Sequence, residues 1–222
     1  MAYALQAGWS VIDLYADDAN KDRIIAELKK VRFGSLLGHG NKGVFTGQRQ
    51  QVVFQVGDQA TLEFCQQAGE TTLNFLSCLM GQQLAPWMCQ NGLGAAKAYT
   101  EEFVFANDPS DFPDSVAEPF FLSYCEFDRV FLSTMDPDQA YQAELRMWEA
   151  QIDKADPRIK PYLVQDYDSS ELFKKGEQPP QPKPCPFSKA VVKLPGGRRL
   201  LRWYRGWRFR HFGVQPGAFP EA

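Results

Sequence analysis

The chain predicts an α/β protein, a three-layer α/β/α sandwich around a mostly parallel sheet, with a small basic hairpin extension at the C-terminus. Two observations carry that prediction. Short apolar runs of strand length alternate with segments of helical periodicity through residue 105, the pattern of strands joined by crossover helices. At 222 residues, with 44% hydrophobic and 23% charged residues, the chain can bury one full core.

In order, Trp9–Tyr15 reads as a strand and Ala16–Asn20 as the turn out of it. Lys21–Val31 has Ile24, Ile25, Leu28 and Val31 at helical spacing, with Asp18 and Asn20 as capping candidates. A strand over 33–37 follows, so 9–37 reads as a right-handed strand–helix–strand unit. A glycine-containing loop then leads to a strand over Gln51–Val56. Asp58 caps a helix to Gln67 with Leu62 and Cys65 facing inward, and a second apolar strand covers 72–77. A helix over 82–90 ends at Asn91-Gly92, and Ala95–Val104 reads as the next strand. After a loop from Pro109 to Pro119 come helices over 118–130 and 137–153, the second capped at Asp136-Pro137.

Residues 1–155 therefore form the α/β domain, 156–187 a linker and 188–222 a basic, aromatic tail. The linker holds the polyproline-like run Gln178–Pro184. In the tail, Ser188–Leu194 and Arg198–Tyr204 flank Pro195-Gly196-Gly197, a hairpin signature. Net charge is −3 overall, but from Lys183 onward there are nine basic residues and one acidic, against 15 basic and 26 acidic before it. Residues 198–212 interleave six Arg with five aromatics. Such a segment suits nucleic acid or an anionic surface, and equally suits docking on the acidic body.

No apolar run reaches the roughly 20 residues needed to cross a bilayer, and the N-terminus lacks the features of a secretory signal. Five cysteines, an odd number without metal-like spacing, give no basis for a disulfide framework, a metal site or another cofactor, and fit a reducing cytoplasm.

Two strand ends carry the candidate chemistry. Phe33–Gly40 ends in Gly38-His39-Gly40, and Thr72–Cys78 ends in Ser77-Cys78. Open α/β sheets bind their ligands at the carboxyl ends of strands, so an imidazole and a thiol share one rim. A thiol can attack, and an imidazole can favour the thiolate and protonate the leaving group. By itself a strand-end cysteine is a small buried apolar residue; His39 on the neighbouring strand end raises Cys78 above that. Cys65 and Cys89 read as packing residues, and Cys125 and Cys185 have no evident partner. The other histidine, His211, lies in the tail. The Gly38–Gly43 loop could cradle phosphate but lacks the Gly-Lys-Ser/Thr ending of a nucleotide loop.

In this order and spacing the chain resembles caspase-like (clan CD) cysteine peptidases of the bacterial CHAT or metacaspase kind. In that family a His-Gly pair ends one strand and a Cys after a small residue ends the next. Here His39-Gly40 and Ser77-Cys78, 39 residues apart, hold those places. The strand–helix pair over 9–31, Gly43–Gly47, Gly94–Ala96 and the helical Ala117–Ala150 extend the likeness over roughly residues 1–153. Leu76 stands where metacaspases carry an Asp of their basic-residue pocket. The resemblance implies a cysteine endopeptidase with Cys78 as nucleophile, His39 as acid and base, and the Gly40 and Cys78 N–H groups as oxyanion hole. Asn41 or Ser77 would be supporting residues, with a protein or peptide as substrate and a regulatory partner. The family's first core strand has no counterpart, and Met1–Gly8 matches only the tail of its first helix. The open edge this implies would be filled by Ser188–Leu194 or by a partner chain. Two other functions fit the sequence: a catalytically inactive interaction module of the same fold, and a nucleic-acid binder using 198–212.

Overall fold

A computed structural model of the chain describes residues 2–177 except 109 and 111–113; the predicted hairpin, the polyproline run and the basic tail lie outside the described residues. The protein is of the α/β class. Its elements are α1 (Ala2–Gln6), α2 (Lys21–Leu28), β1 (Phe33–Leu37), β2 (His39–Asn41), β3 (Val44–Thr46), β4 (Val52–Gln55), α3 (Gln59–Gln67) and β5 (Thr72–Leu76), followed by α4 (Leu84–Gln90), β6 (Ala95–Tyr99), α5 (Glu118–Thr134), α6 (Pro137–Lys154), α7 (Lys160–Ser169) and β7 (Ser170–Lys174). The central sheet runs β1-β5-β6-β7, with β1, β5 and β6 parallel and β7 antiparallel to β6. A second, antiparallel sheet runs β2-β3-β4.

Three helices start on side chains that satisfy their first free N–H groups. Asn20 accepts from Arg23 N, Asp58 from Thr61 N, and Asp136 from Asp138 N and Gln139 N. Apolar faces then set the layers. On one side of the central sheet, Leu28 of α2, Phe64 of α3 and Met88 of α4 pack with Leu73, Phe75, Ala96 and Ala98, together with Phe45 and Phe54 of the small sheet. On the other side, Phe127 and Phe131 of α5 and Ala140 of α6 pack with Ala95 and Leu172, and Phe33 packs against them. Trp148, Ile152, Tyr162 and Leu163 join α6 to α7.

This second side also buries charge. Lys97 and Glu144 are fully buried, with Nζ 2.7 Å from Oε1. Trp148 Nε1 donates to the same Oε1 at 3.0 Å, and Tyr99 lies 2.7 Å from Lys97 Nζ. Burial pulls the Lys97 ammonium below its usual range against the pull of Glu144, and pushes the Tyr99 phenol well up. Next to this pair, Asn74 Nδ2 donates to Asp128 at 2.6 Å, and burial lifts the Asp128 carboxyl to about 6.

Four expectations need correction. Trp9–Tyr15 is not a strand: Ser10–Leu14 makes no backbone hydrogen bond among the described residues, and Val11, Ile12 and Tyr15 are exposed. With no strand to pair with among the described residues, 9–37 is not a strand–helix–strand unit. The loop after His39 is the β2–β3 hairpin, closed by Lys42-Gly43. The strand expected to reach Val104 stops at Tyr99: Thr100 N still bonds Ser169 O in register, but Ser169 already belongs to α7, so the partner strand goes no further. The segment from 156, expected as linker, first builds α7 and β7; β7 covers the edge of β6 that would otherwise stand open.

Candidate functional site at the sheet rim

β1 and β5 are adjacent and parallel, in register from Phe33 opposite Thr72 to Leu37 opposite Leu76. Gly38 N donates to Leu76 O, which extends the pairing to the point where both chains leave the sheet. The residues after each strand, Gly38–Gly40 and Ser77–Cys78, therefore emerge side by side on one rim. The two segments meet at Gly40. A Cβ built there would lie 2.3 Å from Ser77 Oγ and 3.1 Å from Cys78 O. Only glycine permits that approach.

Cys78 is half-buried, and its Sγ lies 4.0 Å from Phe103 O. Ser77 is buried, and its Oγ has no hydrogen-bond partner among the described residues. Leu79 holds a left-handed conformation, φ 62° and ψ 0°, uncommon for a residue with a branched side chain. The conformation aims Leu79 N at Glu101 O, 3.0 Å away. Gln82 Nε2 reaches Thr100 O at 2.7 Å. The chain after β6 is thus laced across the rim behind Cys78. Beside Leu79 opens a depression of about 500 Å³ lined by Asn41, Lys42, Val44, Val56, Leu79 and Gln83 among others.

His39 opens β2 opposite Thr46 and is exposed; its carbonyl accepts from Thr46 Oγ1 at 3.2 Å. In the β2–β3 hairpin the two-residue loop makes Asn41/Val44 a hydrogen-bonded pair. The alternation of an antiparallel ladder then makes Gly40/Phe45 a non-bonded one, which turns Gly40 N–H away from β3. Asn41 Oδ1 accepts from Gly43 N at 3.1 Å within its own turn, and Asn41 also lines the depression beside Leu79.

The other cysteines separate clearly. Cys65 and Cys89 are buried, and desolvation pushes each thiol up to about 12. Cys125 is exposed, and partial desolvation together with the neighbouring Asp128 raises its thiol. Cys185 and His211 lie outside the described residues.

The sequence reading missed two features. One is the crossing of 100–103 behind Cys78, which leaves no local pattern. The other is the Lys97–Glu144 pair, signalled only by a single charge inside Ala95-Ala96-Lys97-Ala98. Among the described residues no group of His, Cys, Asp and Glu could hold a metal ion, and no helix is long and apolar enough to cross a membrane. Compared with known protein families, curated proteins and solved structures, the chain has no match.

Proposed function

We propose that the protein is a cysteine endopeptidase of the caspase-like kind, with Cys78 as nucleophile and His39 as its acid and base. The observation that carries this reading is the shared rim: neighbouring parallel strands in unbroken register, with Gly40 against Ser77 and Cys78. In this mechanism the Cys78 thiolate attacks a peptide carbonyl and the negative charge moves to its oxygen. Gly40 N–H, turned away from β3, and Cys78 N–H stabilise that oxyanion. Collapse of the intermediate breaks the C–N bond as His39 protonates the departing amine, leaving a thioester on Cys78. Water, deprotonated by His39, then releases the acid and restores the thiol. The depression beside Leu79 offers room for a substrate side chain.

The reading is tested by the rate of Cys78 alkylation with iodoacetamide against pH, in the parent and in His39→Ala. Both are built in a background with the other cysteines changed to serine or alanine. The expected result is a thiolate that titrates well below the free-cysteine value of about 8.5 and returns to it without the imidazole. A slow thiol indifferent to His39 overturns the peptidase reading. It would leave a binding module of the same architecture.

A further inference from the structure

β1 is enclosed on three sides and open on the fourth. On one face, a Cβ at Gly34 would lie 2.6 Å from Leu28 of α2. On the other, the Phe33 ring lies 4.8 Å from that of Phe131, and Ser35 Oγ lies 3.0 Å from Tyr124 OH. β5 takes one edge. Along the other edge no strand pairs among the described residues. Thr72 N donates to Arg32 O and Gly38 N to Leu76 O, so the alternating pattern of a parallel ladder points the peptide groups of Phe33, Ser35 and Leu37 outward. Leu37 is 62% exposed. Parallel strands covered on both faces normally lie inside a sheet, and an unpaired edge is a template for another strand.

The path of the chain selects the occupant. β7 runs antiparallel to β6, with Lys174 opposite Ala95, Ala95 opposite Thr72 and Thr72 opposite Phe33. The chain therefore leaves β7 level with Phe33, at the end of the sheet away from Cys78. Four strand spacings of about 4.8 Å, roughly 19 Å, separate β7 from the vacant position beside β1. Residues 178–187, with five prolines, span about 31 Å as an extended polyproline segment, enough to pass beneath the sheet. Immediately after them comes Ser188-Lys189-Ala190-Val191-Val192-Lys193-Leu194. Its alternation places Ala190, Val192 and Leu194 on one face and lets the Lys189 and Lys193 stems flank Val191 on the other.

We propose that Ser188–Leu194 adds to the open edge of β1 as a parallel strand and completes the central sheet within the same chain. Entering at the Phe33 end, it runs toward the rim and sets Pro195-Gly196-Gly197 near Gly38. The basic, aromatic segment 198–212 then begins at the rim that carries Gly40 and Cys78. The contact is one of backbone pairing and does not depend on Cys78 reactivity.

Amide hydrogen exchange on the full chain tests this, read by mass spectrometry on peptides covering 32–38, 72–77 and 188–195. In the parent, 188–194 is expected to exchange at least tenfold slower than an unstructured segment of the same sequence. Val191→Pro and Val192→Pro, made separately, remove a donor and the extended ladder. Each is expected to speed exchange at least tenfold at 188–194 and at the outward amides of 33–37, with 72–77 unchanged and the chain monomeric by light scattering. Intrinsic exchange rates at 188–194 in the parent overturn the proposal, as does a proline variant that leaves 33–37 unaltered. Protection that disappears on dilution together with a dimeric mass overturns it too, since the strand would then come from a second copy.

Discussion

Methionine in place of Lys97 keeps the length and apolar stem of the side chain and removes only the ammonium. Glu144 is then left fully buried with its Oε1 near three neutral donors, Trp148 Nε1 at 3.0 Å, Ser170 Oγ at 3.4 Å and Tyr99 OH at 3.5 Å. Its Oε2 already has no partner among the described residues. Breaking a buried pair on one side costs about 3–5 kcal/mol. A limit also follows from titration, because the stranded carboxylate can take up a proton. From a free value of about 4.3, protonation at pH 7 costs about 1.36 kcal/mol for each of 2.7 pH units, or about 3.7 kcal/mol. At pH 5 the same escape costs only about 1 kcal/mol. Neutralisation of the stranded carboxylate therefore limits the loss more strongly as pH falls. Urea unfolding followed by circular dichroism is expected to show a loss of about 3–4 kcal/mol at pH 7 that shrinks to about 1 kcal/mol at pH 5. At neutral pH this corresponds to about 6–16 °C in Tm for a chain of this size. Lys97→Met/Glu144→Gln, neutral on both sides, is expected to recover most of the loss. An equal loss at both pH values, or a double variant no better than the single, would refute the reasoning.

Asp128, lifted to about 6 by burial, is protonated in the folded chain at pH values where the unfolded chain is already ionised. Its stabilising share is complete below about 4 and is lost as pH rises through 6, on the order of 2–3 kcal/mol in all. Asp128→Asn is expected to flatten that fall, as read from Tm at pH 4 and pH 7.5; an unchanged slope would count against a buried, titrating Asp128. Gly40→Ala places a methyl 2.3 Å from Ser77 Oγ and is expected to cost about 1–3 kcal/mol in urea unfolding. Stability within 0.5 kcal/mol of the parent would show that β2 is not seated on Ser77 and Cys78. Asp58 accepts from Thr61 N at 2.9 Å and Thr61 Oγ1 at 2.9 Å, and the first of these bonds leads in lowering its carboxyl. Asp58→Ala is expected to lose about 1 kcal/mol, with Asp58→Asn near the parent, and the Asp58 contribution fades as acid protonates the carboxylate. A loss shared equally by both variants would place the effect outside the cap.

What the sequence discloses here is what is decided locally. Asn20, Asp58 and Asp136 mark helix starts because a capping side chain answers to backbone groups two or three residues away. β5 is legible because a buried parallel strand is a nearly continuous apolar run, and β1 because Phe33, Leu36 and Leu37 give it strand composition at strand length. Trp9–Tyr15 has strand composition but no strand beside it among the described residues, and a strand exists only as half of a pair. The β2–β3 hairpin escapes notice because its strands have three residues each, too few to show alternation. α7 and β7 hide behind Pro157 and Pro161 and a polar stretch in which Asp166, Ser169 and Glu171 are buried by tertiary contacts alone. At the rim, Cys78 and Gly40 could be singled out because each follows within three residues of the end of an apolar strand, β5 or β1. The crossing of Phe103 behind the thiol could not, since that path is set by α7 through Thr100 and Ser169.

The polar groups on the α5–α6 side of the central sheet bear directly on the rim. Ser35, Asn74 and Lys97 lie opposite one another across β1, β5 and β6, and each meets a polar side chain on the helical layer. Ser35 pairs with Tyr124, Asn74 with Asp128 and Lys97 with Glu144. A slip of β5 by one residue would send Asn74 to the opposite face, among Phe64 and Met88, and strand Asp128 without its donor. Apolar residues alone would resist that slip weakly, because Thr72–Leu76 is buried on both faces along most of its length. The polar row therefore fixes the register of the strands, and through that register the position of Cys78 relative to Gly38–Gly40. Asn74→Leu supplies an apolar side chain that is acceptable to either face. It is expected to loosen this registration and raise the exchange of the Gly38 amide, which Leu76 O accepts, more than it lowers global stability. Equal changes in both would assign Asn74 to stability alone.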